Sequence, residues 1–161
     1  MPFLIDVAVT EPGWTDALDA PGPFVRRAVR AGAALLEGEP EGELSVALVS
    51  DTEIADLNTR FRDRDGPTNV LSFPGSGPVQ GDIVLALQTC LRECSKQNKT
   101  VEAHTAHLLV HGFLHLHGHT HDERAERLRM EALERDALAT LGHPDPYVLA
   151  PHSTRASLRE K

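Results

Sequence analysis

Apolar and polar positions alternate over residues 3–9, where Phe3, Ile5, Val7 and Val9 share one face at period two, and this predicts a first strand. A Pro- and Gly-rich connector follows through Pro23. From Phe24 to Leu36 the period lengthens. Phe24, Val25, Ala28, Val29, Leu35 and Leu36 recur at spacings of three and four, which predicts an amphipathic helix with Arg26, Arg27 and Arg30 elsewhere on its surface. The acidic run EGEPEGE at 37–43 ends it, and LSVALV at 44–49 predicts a second strand. Ser50 with Glu53 forms a capping-box pattern that opens a short helix carrying Ile54, Leu57 and Phe61.

Two further short strands are predicted at 69–73 and 82–87, either side of a Gly/Pro loop at 74–81. Helices follow at about 88–97 and 100–117, with Thr100 as the N-cap and Gly118 as the stop. A last helix at about 123–141 has Leu128, Leu133, Ala137, Leu138 and Leu141 on or near one stripe. This order predicts one α+β domain over residues 1–147, a small mixed four-stranded sheet packed with about five helices. Residues 148–161, a mixture of Pro, Ser and charges, are expected to form a loosely held tail.

The length, 161 residues, suits a single core, and 40% apolar with 25% charged residues excludes disorder, collagen-like sequence and a coiled coil. The net charge of −8 has the wrong sign for nucleic-acid binding through the overall field, so such binding needs a local basic patch. The acidity is concentrated in the first 50 residues, which carry eight acidic and three basic side chains. Cys90 and Cys94 are too few for a disulfide scaffold, suit a reducing compartment and read as two ordinary thiols. The opening MPFLIDVAV is short and interrupted by Asp6, and no later run has the roughly 18 apolar residues of a span; a soluble cytoplasmic protein is expected.

Histidine changes this picture, because seven of the nine fall between His104 and His121. Residues four apart on a helix are neighbours, so His111 and His115 can direct two imidazoles at one ion. Gly118 lets the backbone leave the helix through a positive φ, after which His121 can reach the same ion. The expected result is a zincin-like metal site on a helix and the turn after it. Three ligands leave one position open for a water whose pKa falls toward about 7, the mark of a catalytic rather than a structural centre. His107 also lies four residues from His111, and His104, His117 and His119 crowd the same segment. Only the set His111, His115 and His121 combines a helical pair with a ligand presented after the glycine. Helix-surface or supporting roles are expected for His104 and His107, and solvent exposure or a substrate-facing position for His117 and His119.

Positions 111, 115, 118 and 121 match the metzincin peptidase pattern H-E-x-x-H-x-x-G-x-x-H, except that Gly112 stands where the peptidase carries its general base. A metallohydrolase of peptides or another ester is therefore the lesser reading, and it depends on a carboxylate elsewhere, such as Asp82, reaching the site. A phosphodiester suits a base-poor metal site better, provided an arginine is close enough to stabilise the pentacovalent species. Arg60, Arg62 and Arg64 are candidates: they share a face if extended and fan out at a helix end. Thr68, Asn69 and Ser72 are possible hydrogen-bond donors, Asn69 equally a turn cap.

The segment HLLVHGFLHLHGHTH ending at His121, with FRDRDGPTNVLSFP at 61–74, GDIVLA at 81–86 and LGHPDPY at 141–147, resembles the bacterial YbeY family of endoribonucleases, also called rRNA maturation factors. The resemblance runs from about residue 44 to 147 in four ordered motifs. It implies a zinc-dependent, single-strand-directed endoribonuclease acting in maturation of the 3′ end of small-subunit ribosomal RNA and in ribosome quality control. The small ribosomal subunit or its proteins are the implied partners, with the GDI segment at Asp82 linked to one such contact. The family's metal histidines map onto His111, His115 and His121, and its required arginine onto Arg62. This chain departs from the family at His119-Thr120, where Tyr-Asp is usual, at His117, where leucine is common, and in a short loop between Phe73 and Gly81. A third reading keeps the metal but not the catalysis: an assembly factor in which the ion only ties helix to turn.

Overall fold

The computed structural model describes residues 2–38, 40–120 and 122–148. His121, and the tail beyond Val148, lie outside the described residues. Strand β1 (Phe3–Val9) runs parallel to β2 (Gly42–Val49), with Ile5 opposite Leu44 and Val7 opposite Val46. Between them stand α1 (Gly13–Ala17) and α2 (Pro21–Ala33). The hydrophobic pattern does not foretell α1, whose five residues are held by tertiary contact rather than by propensity. Trp14 is fully buried there, and its indole N–H donates to the carbonyl of Val49 at 3.0 Å. Helix α2 begins at Pro21, three residues before the expected start, because a fixed φ and a missing N–H cost nothing in a first turn.

Helix α3 (Asp51–Arg62) has the expected cap: the Ser50 hydroxyl accepts from the Glu53 amide at 3.2 Å. Then follow β3 (Val70–Pro74), β4 (Val79–Ala86), α4 (Leu87–Gln97), α5 (Val101–Leu116) and α6 (Arg124–Thr140). The sheet order is β1-β2-β4-β3, with β4 parallel to β2 and β3 antiparallel to β4. The mixed four-stranded α+β domain is thus as expected, with six helices among the described residues in place of about five.

Period-two alternation divides the sheet into two apolar faces. Ile5, Leu44, Val46, Leu48, Ile83 and Leu85 pack with Val25, Val29, Leu109 and Phe113 of α2 and α5, and the buried thiols of Cys90 and Cys94 join them. Val49, Leu71, Val84 and Ala86 point the other way, against Ile54 and Leu57 of α3. Helix α6 packs on α2 and α5 through Met130, Ala137 and Leu138, while Leu128 of the expected stripe is exposed. Among the described residues no helix is long and apolar enough to cross a membrane.

Helix α5 approaches the sheet closely at Gly112. A Cβ there would lie 3.0 Å from Ser72 Oγ and 3.3 Å from Ile83 Cγ2, tighter than ordinary contact. The missing side chain at this position is therefore a packing requirement between α5 and strands β3 and β4.

Candidate active site

Three elements converge beside Gly112: the end of α3, strand β3 and the second half of α5. Helix α5 starts where the Thr100 hydroxyl accepts from the Ala103 amide at 3.1 Å, and its 16 residues carry His111 and His115 one turn apart. Both line a cavity of about 750 Å³, His111 half-buried and His115 exposed. Beyond them Gly118 takes a φ of 89°, the conformation expected of the turn that leads to position 121. His121 itself is outside the described residues, so the structure describes two of the three expected ligand positions. Among the described residues no group of three His, Cys, Asp or Glu side chains is gathered to hold a metal.

Arg62 reaches the same cavity from α3. The helix continues through Arg62, so the three arginines fan out instead of sharing a face. Arg60 pairs with Asp56 at 2.8 Å on the surface. Asp63 then turns the chain at a left-handed φ of 54°, and the turn is secured by the Arg64 amide donating to the Asn58 carbonyl at 3.2 Å. The Asn58 side chain in turn donates to the Gly66 carbonyl at 3.0 Å. Folded back this way, the Arg62 guanidinium donates to the carbonyl of Ser72 and lies 5.0 Å from the centre of the Phe73 ring. Arg64, Thr68 and Ser72 border the cavity too. Asn69 is turned elsewhere, its amide donating to Glu93 at 3.0 Å, which ties the start of β3 to α4.

Behind His111 sits a carboxylate that sequence reasoning assigned no role. Glu134 of α6 is fully buried and meets His111 Nδ1 at 2.7 Å, His107 Nε2 at 2.9 Å and the Tyr147 hydroxyl. Burial raises its pKa, but the hydrogen bonds from His107, His111 and Tyr147 outweigh that and bring it to about 2, so the group is an anion at neutral pH. Tyr147 is pushed above its ordinary value, first by burial and then by its bond to Glu134. Asp145 positions the tyrosine: it accepts from Arg135 Nε at 2.6 Å and from the Tyr147 amide at 2.9 Å. A signal for Glu134 was present, since one acid interrupts the apolar stripe of α6 between Met130 and Ala137.

His104 is buried rather than on the helix surface, and its Nε2 bonds Glu93 at 2.8 Å. Burial lowers its pKa despite that bond, so it favours the neutral ring. His107 has the expected supporting position, facing Glu134. His117 is exposed and bonds the Gln80 side chain at 2.9 Å. Asp82 does not border the histidine cavity; it opens onto a separate concavity of about 490 Å³ with Asp6, Phe61 and Phe73. Position 112 offers no carboxylate either, so the peptidase arrangement finds its base neither there nor at Asp82.

The donor set suits a zinc-like ion. His111 turns Nδ1 to Glu134, and metal-binding imidazoles are commonly held from behind by a carboxylate in this manner.

Residues 22–142 match the family model described as Endoribonuclease YbeY. A protein named Endoribonuclease YbeY from Chelativorans sp. (strain BNC1) is 45% identical over 153 residues, covering 90% of this chain and 93% of its own. One of the same name from Azorhizobium caulinodans is 44% identical, covering 90% of this chain and 96% of its own. The solution structure of TM1509 from Thermotoga maritima superposes with a TM-score of 0.55 over 89% of this chain and 99% of its own. At 23% identity that likeness speaks for the fold alone.

Proposed function

The chain belongs to the Endoribonuclease YbeY family, and on that footing we propose that it is a metal-dependent endoribonuclease cutting single-stranded RNA at the cavity shared by Arg62, His111 and His115. One observation supports this reading above the others: an arginine anchored to the backbone faces the same cavity as the helical histidine pair. His111 and His115, joined by His121, would hold the ion. Zinc, when bound, supplies Lewis-acid activation of water and neutralises charge on a phosphoryl oxygen.

The remaining work falls to the protein. Arg62 spends one N–H on the Ser72 carbonyl and stacks on Phe73, which fixes the plane of the guanidinium before substrate arrives. A guanidinium has five donors, so others remain for the oxygens of the scissile phosphate, where negative charge grows in the transition state. Arg64 adds positive charge at the cavity edge beside Asp65, so the lining sets two arginines against one carboxylate in a chain of net charge −8. Thr68 also borders the cavity, and its hydroxyl can hydrogen-bond a ribose or phosphate.

The finer reading is maturation of the 3′ end of small-subunit ribosomal RNA and ribosome quality control in the cytoplasm, with the small subunit or its proteins as partners. What supports it is the set of four ordered motifs between residues 44 and 147. The test is cleavage of a single-stranded RNA by wild type and Arg62→Ala, with zinc quantified in both. We expect unchanged zinc and a fall in kcat of roughly 100-fold or more, the scale of losing one donor to a developing oxyanion. Undiminished cleavage by Arg62→Ala, or a zinc-loaded wild type that cuts no RNA, contradicts the proposal.

A further inference from the structure

His107 and His111 lie four residues apart on α5 and both carry an imidazole toward Glu134, yet they offer it different atoms. His107 presents Nε2, at 2.9 Å, and His111 presents Nδ1, at 2.7 Å. The rings stand nearly perpendicular, at 83°, with centroids 6.3 Å apart. An ionised carboxylate has only acceptors, so each nitrogen that faces it does so as N–H. A neutral His107 is thereby the Nε2–H tautomer, with Nε2 also 3.2 Å from the Tyr147 hydroxyl, and its other nitrogen, buried and unpartnered among the described residues, is then a lone pair rather than an orphaned donor. A neutral His111 is the opposite tautomer, with its lone pair on Nε2, and its ring borders the cavity.

We infer that Glu134 is the positioning residue of this site: it selects His111 over His107 as a metal ligand by fixing the two rings in opposite tautomers. The inference rests on the metal reading above. Tyr147 completes the device, because its hydroxyl occupies the carboxylate together with His107 and leaves the other oxygen to His111. The LGHPDPY motif thus has a physical purpose. Asp145 and the backbone around Pro146, whose carbonyl accepts from Lys99 Nζ at 3.1 Å, bring Tyr147 to Glu134 from the far end of the chain.

The first measurement needs neither metal nor substrate. Imidazole nitrogen NMR on the zinc-free wild type is expected to find the proton on Nδ1 of His111 and on Nε2 of His107. A His111 proton on Nε2 overturns the inference. The second is zinc affinity by chelator competition for Glu134→Gln and Glu134→Met, both checked for folding by circular dichroism. Glutamine keeps the volume and loses the charge; methionine removes the oxygens altogether. An affinity weaker by about 10–100-fold is expected, the usual effect of losing the carboxylate behind a ligating histidine. Wild-type zinc affinity in either folded variant overturns the assignment. A wild type that takes up no zinc counts against the metal reading, while the tautomers, read without metal, still judge Glu134.

Discussion

The Arg62 guanidinium donates to the backbone carbonyl of Ser72, and the Ser72 hydroxyl donates to the carbonyl of Gly112 at 3.4 Å. A chain of two hydrogen bonds therefore joins the arginine of α3 to the helix that carries His111 and His115. An anchored cation costs little reorganisation when charge develops beside it, which is how fixed groups outperform water in a transition state. The tether is to backbone, so it survives most substitutions of the side chains around it.

The Phe73 ring is the other restraint on Arg62, and it also meets Phe61 edge-on at 5.8 Å. Phe73→Leu keeps an apolar residue on that face of the sheet and removes the cation–π contact, worth about 0.5–1 kcal/mol at a partly exposed site. RNA cleavage should fall by roughly 2–5-fold through kcat, the rate equivalent of that energy, with zinc content unchanged. Steady-state kinetics check this, and a loss confined to KM would mean that Phe73 contacts RNA instead of aligning Arg62.

Gly112→Glu restores the peptidase motif in sequence but not in space. Its side chain would enter the contact between α5, Ser72 and Ile83. An unpaired carboxylate forced into packed surroundings should destabilise the fold by about 3 kcal/mol or more. Urea unfolding measures this, and no peptide hydrolysis should appear.

Asp51 ties the start of α3 to α4, accepting from the Thr89 amide at 2.8 Å, the Thr89 hydroxyl at 2.9 Å and Arg92 at 2.8 Å. Partial burial raises its pKa, but the bonds to Arg92 and Thr89 outweigh this and leave it below the usual carboxylate value of 3.8. A depressed folded pKa gives stability that is present above the unfolded value and lost as pH falls through the folded one. Asp51→Asn should cost about 1 kcal/mol at neutral pH, typical of charge-assisted bonds in a partly exposed pair, and the difference should vanish once the pH is below the folded pKa. Paired urea melts across acidic pH check the sign; a gap that widens on acidification contradicts it.

The parts of the fold set by local rules were legible in the sequence. Alternation located β1 and β2, the Ser50–Glu53 box located the start of α3, and the four-residue spacing brought His111 and His115 to one cavity. What escaped depends on contacts distant in the chain. Helix α1 exists because Trp14 is buried under the carbonyl of Val49, 35 residues away, and no periodicity encodes that bond. Leu128 satisfied the helical pattern of α6 and is exposed, whereas Glu134 broke it and is buried, because three donors from α5 and the Tyr147 segment await it. The arginines at 60, 62 and 64 read equally well as extended or helical. Only the αL turn at Asp63 sends Arg62 toward β3 and leaves Arg60 on the surface.

Cleavage of a single-stranded RNA, followed on the same preparation before zinc is stripped, after stripping, and after stoichiometric zinc is returned, bears on the whole site at once. Stripping should abolish cleavage and readdition should restore it, while His115→Ala should neither retain zinc nor cut in any of the three states. Full cleavage by verified zinc-free protein, or by His115→Ala, would contradict a metal-dependent endoribonuclease built on this helix.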